Sequence, residues 1–398
     1  MVRDVNTPKP RRRWLQFSPR ALLIVMLMLL LGVVFVVLGS MAHEARRQRK
    51  IVADLHQMGA SVHVSDEEPS MPEWFDTGYR GRVAAITVIG GQFNDATPLA
   101  ELKNLKSLRL SGIQVVDVSP LAALKKLEFL NLSDSQVGDV TPLAELKKLE
   151  SLSLSGTQVT DVAPLAKLSR LCYLKLSATH VSDLSPLAEL RNLIQLDLSD
   201  TQVADVTSLA GLQNLEQLSL ARTQVADVTP LAGLKNLERL YLGRTQVAAV
   251  MPLAGLKKLK LLSLSGTQVT DVMLLAGLKN LTMVFLSGTQ VADVTPLAEL
   301  KNLKELHLDR TKVADVTPLA GLKKLETLYL YFTPVTDLTP LAGLINLDFL
   351  DVSGTQVADV ASLTGLKNLQ FLDLSLTQVG KEQVNELQQA LPDCEITR

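Results

Sequence analysis

The chain has 398 residues, of which 47% are hydrophobic and only 4% are aromatic. This composition excludes disorder over most of the chain and predicts an aliphatic core. Two cysteines cannot build a disulfide framework, and five scattered histidines leave little material for a metal site. The first 50 residues carry a net charge of +8, so the total of −1 leaves −9 for residues 51–398. This acidic bulk argues against nucleic acid as a partner.

The first element is an uncharged apolar stretch of 22 residues over 21–42. A helix of this length spans a hydrocarbon core, so the stretch predicts a transmembrane helix. Ser18 and Pro19 are typical of the first residues of a helix. The alternative is a cleaved signal peptide, because Ser40 and Ala42 are small residues at cleavage spacing. The length of the apolar run favours the anchor.

Basic residues near the two helix ends predict its orientation. They are Arg3, Lys9, Arg11, Arg12, Arg13 and Arg20 before the helix, and Arg46, Arg47, Arg49 and Lys50 after it. The excess on the N-terminal side places residues 1–20 in the cytoplasm and the bulk of the chain outside it, in the periplasm or at the cell surface. Signalling through residues 1–20 is disfavoured, because so short a segment holds no domain.

The segment over 43–82 predicts a juxtamembrane helix followed by a linker. Ile51, Leu55 and Met58 share one helical face, and Gly59 suits the helix end. Residues 65–82 contain acidic residues and two prolines, which is typical of an irregular connection.

A repeat of 22 residues fills most of the remaining chain. Prolines recur at 98, 120, 142, 164, 186, 230, 252, 296, 318 and 340, and Ser208, Leu274 and Ser362 stand in the same register. Thirteen such units begin within 98–379 without insertion or deletion, and the last one is incomplete there. Self-similarity at this period is the signature of a solenoid, in which each unit buries its apolar face only against its neighbours.

Within one unit, the leucine spacing predicts a short strand. Leu237, Leu240, Leu242 and Val247 point inward, and stacked strands form a parallel sheet. Ser or Thr before Pro predicts one turn of helix or 3₁₀ on the opposite side. Two polar columns are expected to satisfy backbone groups of the turns. They are Asp161, Asp205, Asp227, Asp271, Asp293, Asp315 and Asp359, and Thr157, Thr201, Thr223, Thr245, Thr267, Thr289, Thr311, Thr355 and Thr377.

This pattern resembles the internalin-like, or SDS22-like, leucine-rich repeats, which also have 22-residue units. The resemblance implies an α/β solenoid, a right-handed curved superhelix with its parallel sheet on the concave face and short 3₁₀ or α turns on the convex face. Threonine stands here where that family usually has asparagine, so a hydroxyl column replaces the asparagine ladder. The basic segment from Arg11 to Phe17 before the apolar helix is similar to membrane-anchored bacterial repeat proteins.

Both ends of the repeat array need covering. Val83, Ile86, Val88 and Phe93 fit the repeat one unit early, with Gly90 and Gly91 at the turn, so 83–97 predicts a degenerate first strand. At the other end, Val384, Leu387 and Leu391 share one helical face, which predicts a C-terminal cap helix within 380–398.

Catalysis is disfavoured, because the sequence contains none of the usual nucleophile, zinc, redox or phosphate-binding motifs. We therefore predict no catalytic residues, no metal and no cofactor. Cys172 and Cys394 lie far apart and are expected to be free thiols.

A binding function is better supported than catalysis, since residues beside the strand leucines project from the concave face and are free to vary. Large side chains gather there in the second half of the array, and aromatic and arginine side chains are typical of binding hot spots. The candidate ligand-binding residues are Arg239, Tyr241, Arg244, Phe285, His307, Asp309, Arg310, Tyr329, Tyr331, Phe332 and Phe349. The alternative is neutral drift on a structural spacer of the cell envelope.

Lysines before each strand predict a basic stripe along one edge. They are Lys103, Lys125, Lys126, Lys147, Lys148, Lys235, Lys257, Lys258, Lys279, Lys301, Lys323, Lys324 and Lys367. Such a run usually forms a solvated surface, and binding of an anionic glycan or lipid to it is the less favoured interpretation. The sequence thus predicts a membrane-anchored repeat protein that binds a protein ligand on its concave face.

Overall fold

The computed structural model describes residues 19–57, 61–67, 82–89 and 93–398. Its first element, α1, is a helix of 39 residues over Pro19–Gln57. One stretch of this helix, Leu22–Ser40, is long and apolar enough to cross a membrane, with a mean hydropathy of 3.2. The predicted capping residue Ser18 and the basic residues that precede it lie outside the described part of the chain.

The C-terminal part of α1 packs against the start of the repeat array. Ile51 and Leu55 are buried in the same core as the repeat leucines. Arg47 forms an ion pair with Glu101 at 2.5 Å between Nε and Oε2. The helix therefore runs without a break from its apolar segment into the repeat domain and covers the first unit. Met58 and Gly59, where we expected its end, lie outside the described residues.

Within the described part of the chain, sixteen strands form one sheet in chain order. They are β1 (Ser61–Glu67), β2 (Arg82–Ile89), β3 (Ser107–Arg109), β4 (Phe129–Asn131), β5 (Ser151–Ser153), β6 (Tyr173–Lys175), β7 (Gln195–Asp197), β8 (Gln217–Ser219), β9 (Arg239–Tyr241), β10 (Leu261–Ser263), β11 (Met283–Phe285), β12 (Glu305–His307), β13 (Thr327–Tyr329), β14 (Phe349–Asp351), β15 (Phe371–Asp373) and β16 (Glu395–Thr397). From β2 onward all pairs are parallel, and the repeat strands begin every 22 residues.

The N-terminal edge differs from the predicted one. β1 pairs antiparallel with β2, from Ser61 opposite Ile89 to Glu67 opposite Arg82. The prediction of an irregular linker over 65–82 is therefore wrong for residues 65–67 and for Arg82. Backbone pairing across a long connection carries no period in the sequence, which is why the repeat analysis missed it. The two turn glycines expected before Phe93 lie outside the described residues.

A 3₁₀ turn follows on the opposite side of each unit, as predicted. These turns are Thr97–Glu101, Ser119–Ala123, Thr141–Glu145, Ala163–Lys167, Ser185–Glu189, Thr207–Gly211, Thr229–Gly233, Met251–Gly255, Met273–Gly277, Thr295–Glu299, Thr317–Gly321, Thr339–Gly343 and Ala361–Gly365. The parallel sheet and these turns confirm the leucine-rich-repeat solenoid.

The two predicted polar columns bond backbone groups. The Asp227 carboxylate accepts the backbone N–H of Thr229 at 2.8 Å, and its counterparts repeat this bond. The Thr245 hydroxyl donates to the Leu242 carbonyl at 2.7 Å, as the other buried threonines of the column do to theirs. Each bond stays within one unit. The inward leucines, such as Leu240, are fully buried.

Asparagines in another column join neighbouring units. The Asn280 amide donates to the Lys257 carbonyl of the preceding unit at 2.8 Å. The same bond recurs at Asn192, Asn214, Asn236, Asn302, Asn346 and Asn368. Where lysine replaces asparagine, as at Lys258, its Nζ donates to the preceding asparagine, here Asn236, at 2.8 Å. An asparagine ladder therefore exists just before the strands, at a different position from the threonine column.

The C-terminal segment contains the helix that we expected and one further strand. α2 spans Lys381–Ala390 and buries Leu387, and Leu391 is buried directly after it. β16 then adds to β15 in parallel register, with Glu395 beside Phe371 and Thr397 beside Asp373. This strand was not predicted, because three residues of mixed polarity outside the repeat give no periodic signal.

Candidate functional site

The repeat strands sort their side chains by alternation. In β9, Leu240 is buried, whereas Arg239 and Tyr241 face outward. The same pattern holds in β3–β15, except that Leu261 of β10 is buried, so the first and third residues of these strands form two parallel columns on the outward face of the sheet. The predicted binding residues of the strands lie in these columns, and the others lie in the turn that follows each strand.

Five rings on successive strands form a continuous aromatic row. His307 lies 4.6 Å from Phe285 and 4.2 Å from Tyr329 between ring centroids. The row continues from Tyr329 to Phe349 at 4.7 Å and from Phe349 to Phe371 at 4.9 Å. These distances are typical of favourable aromatic pairs. Each ring is half-buried, so the row offers an exposed apolar edge along β11–β15.

The row changes column between β13 and β14. Phe285, His307 and Tyr329 are third residues of their strands and direct neighbours in the register. The register neighbour of Tyr329 on β14 is Asp351, but the ring contacts Phe349, the first residue of that strand. The aromatic row therefore crosses the sheet obliquely.

A second cluster, the turn cluster, branches from Tyr329 and contains Asp309, Arg310, Tyr331 and Phe332. Tyr331 lies edge-on to Tyr329 at 6.4 Å and to Phe332 at 5.9 Å. The guanidinium of Arg310 stands 5.6 Å from the Tyr331 ring centre and 5.8 Å from that of Phe332. Cation–π contacts of this kind hold a long arginine side chain in place.

Asp309 is the buried member of this turn cluster. Its side chain is 2% exposed and accepts a hydrogen bond from the Ser287 hydroxyl at 2.6 Å. Burial and the hydrogen bond with Asp309 raise the pKa of the Tyr331 hydroxyl to about 12. Asp309 was predicted as a surface contact, but its burial makes it a residue that positions Tyr331.

Arg310 and Phe332 occupy a backbone position that favours glycine. Five units have Gly112, Gly156, Gly266, Gly288 or Gly354 there, all with positive φ. The φ angles of Arg244, Arg310 and Phe332 are 58°, 54° and 53°. A side chain with a β-carbon in the left-handed region costs about 1–2 kcal/mol. The same positive φ occurs at this position in other units, at Asp134, Ala178, Asp200, Arg222 and Leu376, so the strain is general to this turn.

The structure separates Arg239, Tyr241 and Arg244 from the rest of the predicted site. Ser263 on β10 stands between Tyr241 and Phe285 in the register. Two strand spacings of about 4.8 Å therefore separate these aromatic residues at the backbone. Arg244 lies instead over Gly266, where an added β-carbon would meet its Cγ at 3.2 Å.

Three outward rings of this face, Phe371, Phe129 and Tyr173, were not among the predicted binding residues. Phe371 completes the aromatic row and stands 22 residues after Phe349 in the same column, which is the signal that would have found it. Glu305 contacts His307 at 2.7 Å. The first half of the array also carries outward rings, Phe129 and Tyr173, although they are not joined in a row.

The lysine column is engaged with neighbouring turns. Lys257 and Lys323 donate to the carbonyls of Gly277 and Gly343 at the end of the next 3₁₀ turn, at 3.0 and 2.9 Å. Where that position is glutamate, an ion pair forms instead, as between Lys125 and Glu145 at 2.7 Å. These contacts give the stripe a structural role between units.

The described residues also bear on the other predicted sites. Among them, no three His, Cys, Asp or Glu side chains converge as metal ligands. Cys172 and Cys394 are free thiols. Burial raises the pKa of the Cys394 thiol to about 11.

Comparisons with known proteins agree with this geometry. The family profile described as leucine-rich repeats in two copies matches residues 103–145, 191–233 and 301–343. An internalin, InlF, from Listeria monocytogenes is 31% identical, with a TM-score of 0.71, and the match covers 73% of this chain and 87% of that one. The search of curated protein sequences gave no significant match.

Two more distant structures share the fold. A leucine-rich repeat protein of Leptospira interrogans is 22% identical, with a TM-score of 0.59, over 80% of this chain and 82% of that one. The ectodomain of the membrane receptor kinase GASSHO1/SCHENGEN3 from Arabidopsis thaliana, solved in complex with CASPARIAN STRIP INTEGRITY FACTOR 2, is 20% identical. Its TM-score is 0.64, over 82% of this chain and 44% of that one.

Proposed function

This chain belongs to the leucine-rich repeat family, and on that premise we propose that it is a non-enzymatic binding protein. It takes a protein ligand on the outward, concave face of its sheet. The observation that carries this proposal is the aromatic row from Phe285 to Phe371, joined to the turn cluster at Arg310 and Phe332. Aromatic and arginine side chains on a partly exposed face are the typical composition of an interface hot spot.

The packing of the row supports binding over neutral drift. Each ring is already held by its neighbours, so little side-chain entropy remains to be lost when a ligand docks.

Membrane anchoring is part of the proposal. Leu22–Ser40 crosses the membrane, residues 1–20 stay in the cytoplasm, and the repeat domain lies in the periplasm or at the cell surface. Because α1 continues into the core at Ile51 and Leu55, cleavage near Ala42 would remove the anchor and leave the cap in place. A cleaved signal peptide is therefore the competing possibility for this segment.

The proposed domain organisation keeps the predicted domains and corrects the secondary structure at the two ends of the repeat array. A cap made of the C-terminal part of α1 with β1 and β2 precedes the repeat units over 98–379. The segment 380–398 closes the array with α2 and β16. The lysines of the stripe bond carbonyls and glutamates of neighbouring turns, so an anionic glycan or lipid is not the proposed ligand.

The test is capture of envelope proteins by the full chain in detergent, compared with the triple variant Phe285→Ser, Tyr329→Ser and Phe332→Gly. These changes restore residues found at the same positions of other units, so the fold is expected to survive. A fragment beginning at residue 65 is unsuitable, because it lacks Ile51 and Leu55 of the core. A second variant, Phe129→Ser with Tyr173→Ser, removes outward rings from the first half as a matched control.

We expect a partner that the wild-type chain and the control variant capture and the triple variant loses. Equal capture by all three proteins, or no capture by any, would favour the structural spacer. Recovery of the peptide containing Trp14 from membrane fractions supports the uncleaved anchor, whereas chains that all begin near His43 would contradict it.

A further inference from the structure

Beyond the aromatic row itself, the outward face of β14 and β15 presents a square of two rings and two carboxylates. Phe349 and Phe371 are register neighbours whose rings stack at 4.9 Å with an interplanar angle of 11°. Asp351 and Asp373 are register neighbours on the same two strands, two residues further along each. The paired rings therefore adjoin a pair of carboxylates on the same half-buried surface.

The two carboxylates are held in place but not neutralised. Asp351 accepts the backbone N–H of Ser353 at 2.9 Å, and Asp373 accepts that of Ser375 at 2.8 Å. Each bond uses one of the two oxygens of the carboxylate. None of the ion pairs in the described part of the chain includes either residue. Like charges on neighbouring strands are destabilising. Asn131 accepts the backbone N–H of Ser133 at 2.8 Å in the same column without a charge, so the backbone bond explains an oxygen at this position and not the paired charges.

Negative charge extends from this pair along the aromatic row. Tyr329 is the register neighbour of Asp351 on the other side. Burial raises the pKa of the Tyr329 hydroxyl, and the charges of Glu305, Asp351 and Asp309 raise it further. On the outward columns and turns of β11–β15, the half-buried acids Glu305, Asp351 and Asp373 outnumber the one cation, Arg310, and the buried Asp309 adds a further carboxylate. This surface is therefore both aromatic and anionic.

A long cationic side chain complements this surface in both respects. The stacked rings present their edges, against which the apolar stem of an arginine or lysine packs, while its charged head reaches the carboxylates. An acidic segment would meet uncompensated repulsion, and a purely apolar one would bury the carboxylates unpaired. We propose that the face of β14 and β15 binds an arginine or lysine side chain of the protein ligand, so that the ligand is a basic segment.

This inference rests on the proposed function, and its test separates the two. The probes are three short synthetic peptides of equal length, rich in arginine, glutamine or glutamate, and binding to the full chain in detergent is measured by fluorescence anisotropy. The critical variant is Asp351→Asn with Asp373→Asn, because asparagine keeps the backbone hydrogen bond and removes the charge. The matched control is Asp197→Asn, since Asp197 accepts the N–H of Ser199 in the same way at 3.0 Å on β7, away from the row.

We expect the wild-type chain to bind the arginine peptide most tightly and the glutamate peptide least, with affinity falling as salt rises. The double asparagine variant should lose about tenfold or more for the arginine peptide, whereas Asp197→Asn should lose nothing. Unchanged binding by the double variant, or equal binding of the three peptides, overturns the inference. The thermal midpoint of the double variant should not fall, and a clear fall would assign the carboxylates a structural role instead.

Capture of the natural partner distinguishes failure of this inference from failure of the proposed function. If the triple aromatic variant loses the partner and the double asparagine variant keeps it, the binding face stands and the basic specificity is wrong. If neither variant loses it, the proposed function itself fails.

Discussion

The ring of Phe332 lies over the α-carbon of Gly354, where an added β-carbon would meet the ring Cδ1 at 2.5 Å. Both residues have positive φ, 53° and 66°, and they occupy the same turn position in adjacent units. The large side chain of one unit thus depends on the glycine of the next. Phe332 therefore combines a left-handed backbone with a ring that occupies the place of a β-carbon at position 354.

This relationship predicts that Gly354→Ala destabilises the chain through two effects. The left-handed backbone costs about 1–2 kcal/mol with any β-carbon, and the collision with Phe332 adds to that cost. Gly112→Ala is the matched control, because Gly112 has a φ of 69° and no atom within 4 Å of the added carbon. Thermal unfolding should show a larger loss for Gly354→Ala, and equal losses would contradict the close packing.

Phe332→Gly is expected to separate stability from binding. It relieves the left-handed strain and removes a ring that is 51% exposed, so the thermal midpoint should stay or rise. Capture of the partner should fall, because Arg310 loses one of its two aromatic contacts. In this background Gly354→Ala should cost no more than Gly112→Ala. A fall in stability with unchanged capture would make Phe332 a structural residue.

The raised pKa of Tyr331 predicts that its hydroxyl titrates at a higher pH than an ordinary tyrosine. Because the folded pKa of about 12 exceeds the ordinary value of about 10, folding favours the neutral hydroxyl. Its stabilising contribution is complete below pH 10 and is lost as pH rises through the folded pKa. Ultraviolet absorbance during alkaline titration should show a late component that Tyr331→Phe removes. Asp309→Asn should move that component to lower pH, and a titration unchanged by Tyr331→Phe would refute the assignment.

The docking of α1 predicts a local effect on the first units. Leu55→Ala removes a fully buried side chain and should cost about 2–5 kcal/mol. Because solenoid units contact only their neighbours, hydrogen exchange should accelerate in β2–β4 and remain slow in β13–β15. Gln57→Ala, at an exposed position of the same helix, is the control. Uniform acceleration along the array would contradict local capping.

The aspartate column predicts loss of stability in acid. Hydrogen bonds from the hydroxyl and backbone N–H of Thr229 lower the pKa of Asp227, and those of Thr207 do so for Asp205. Such depressed groups stabilise the fold above their ordinary pKa of about 3.9, and this contribution is lost as pH falls through the folded value. The thermal midpoint should therefore drop below about pH 4. Replacing Asp205, Asp227 and Asp293 with Asn should flatten that drop, and an unchanged pH profile would contradict it.

The sequence alone determined the periodic part of this protein. The positions of Leu240 and its counterparts, the threonine and aspartate bonds and the 3₁₀ turns all follow from contacts within one unit or with the next. Because every unit has to satisfy the same local requirements, the pattern appears many times and is easily recognised. Large outward residues in the second half were visible as departures from that pattern.

Only the tertiary structure decided what is not periodic. The docking of Leu55, the antiparallel pairing of β1 and the addition of β16 join segments that the repeat does not relate. The oblique step from Tyr329 to Phe349, and the separation of Tyr241 from the row, depend on which rings touch across adjacent strands. Side-chain contact depends on the directions and rotamers of both partners, and the spacing of residues along one chain does not specify these.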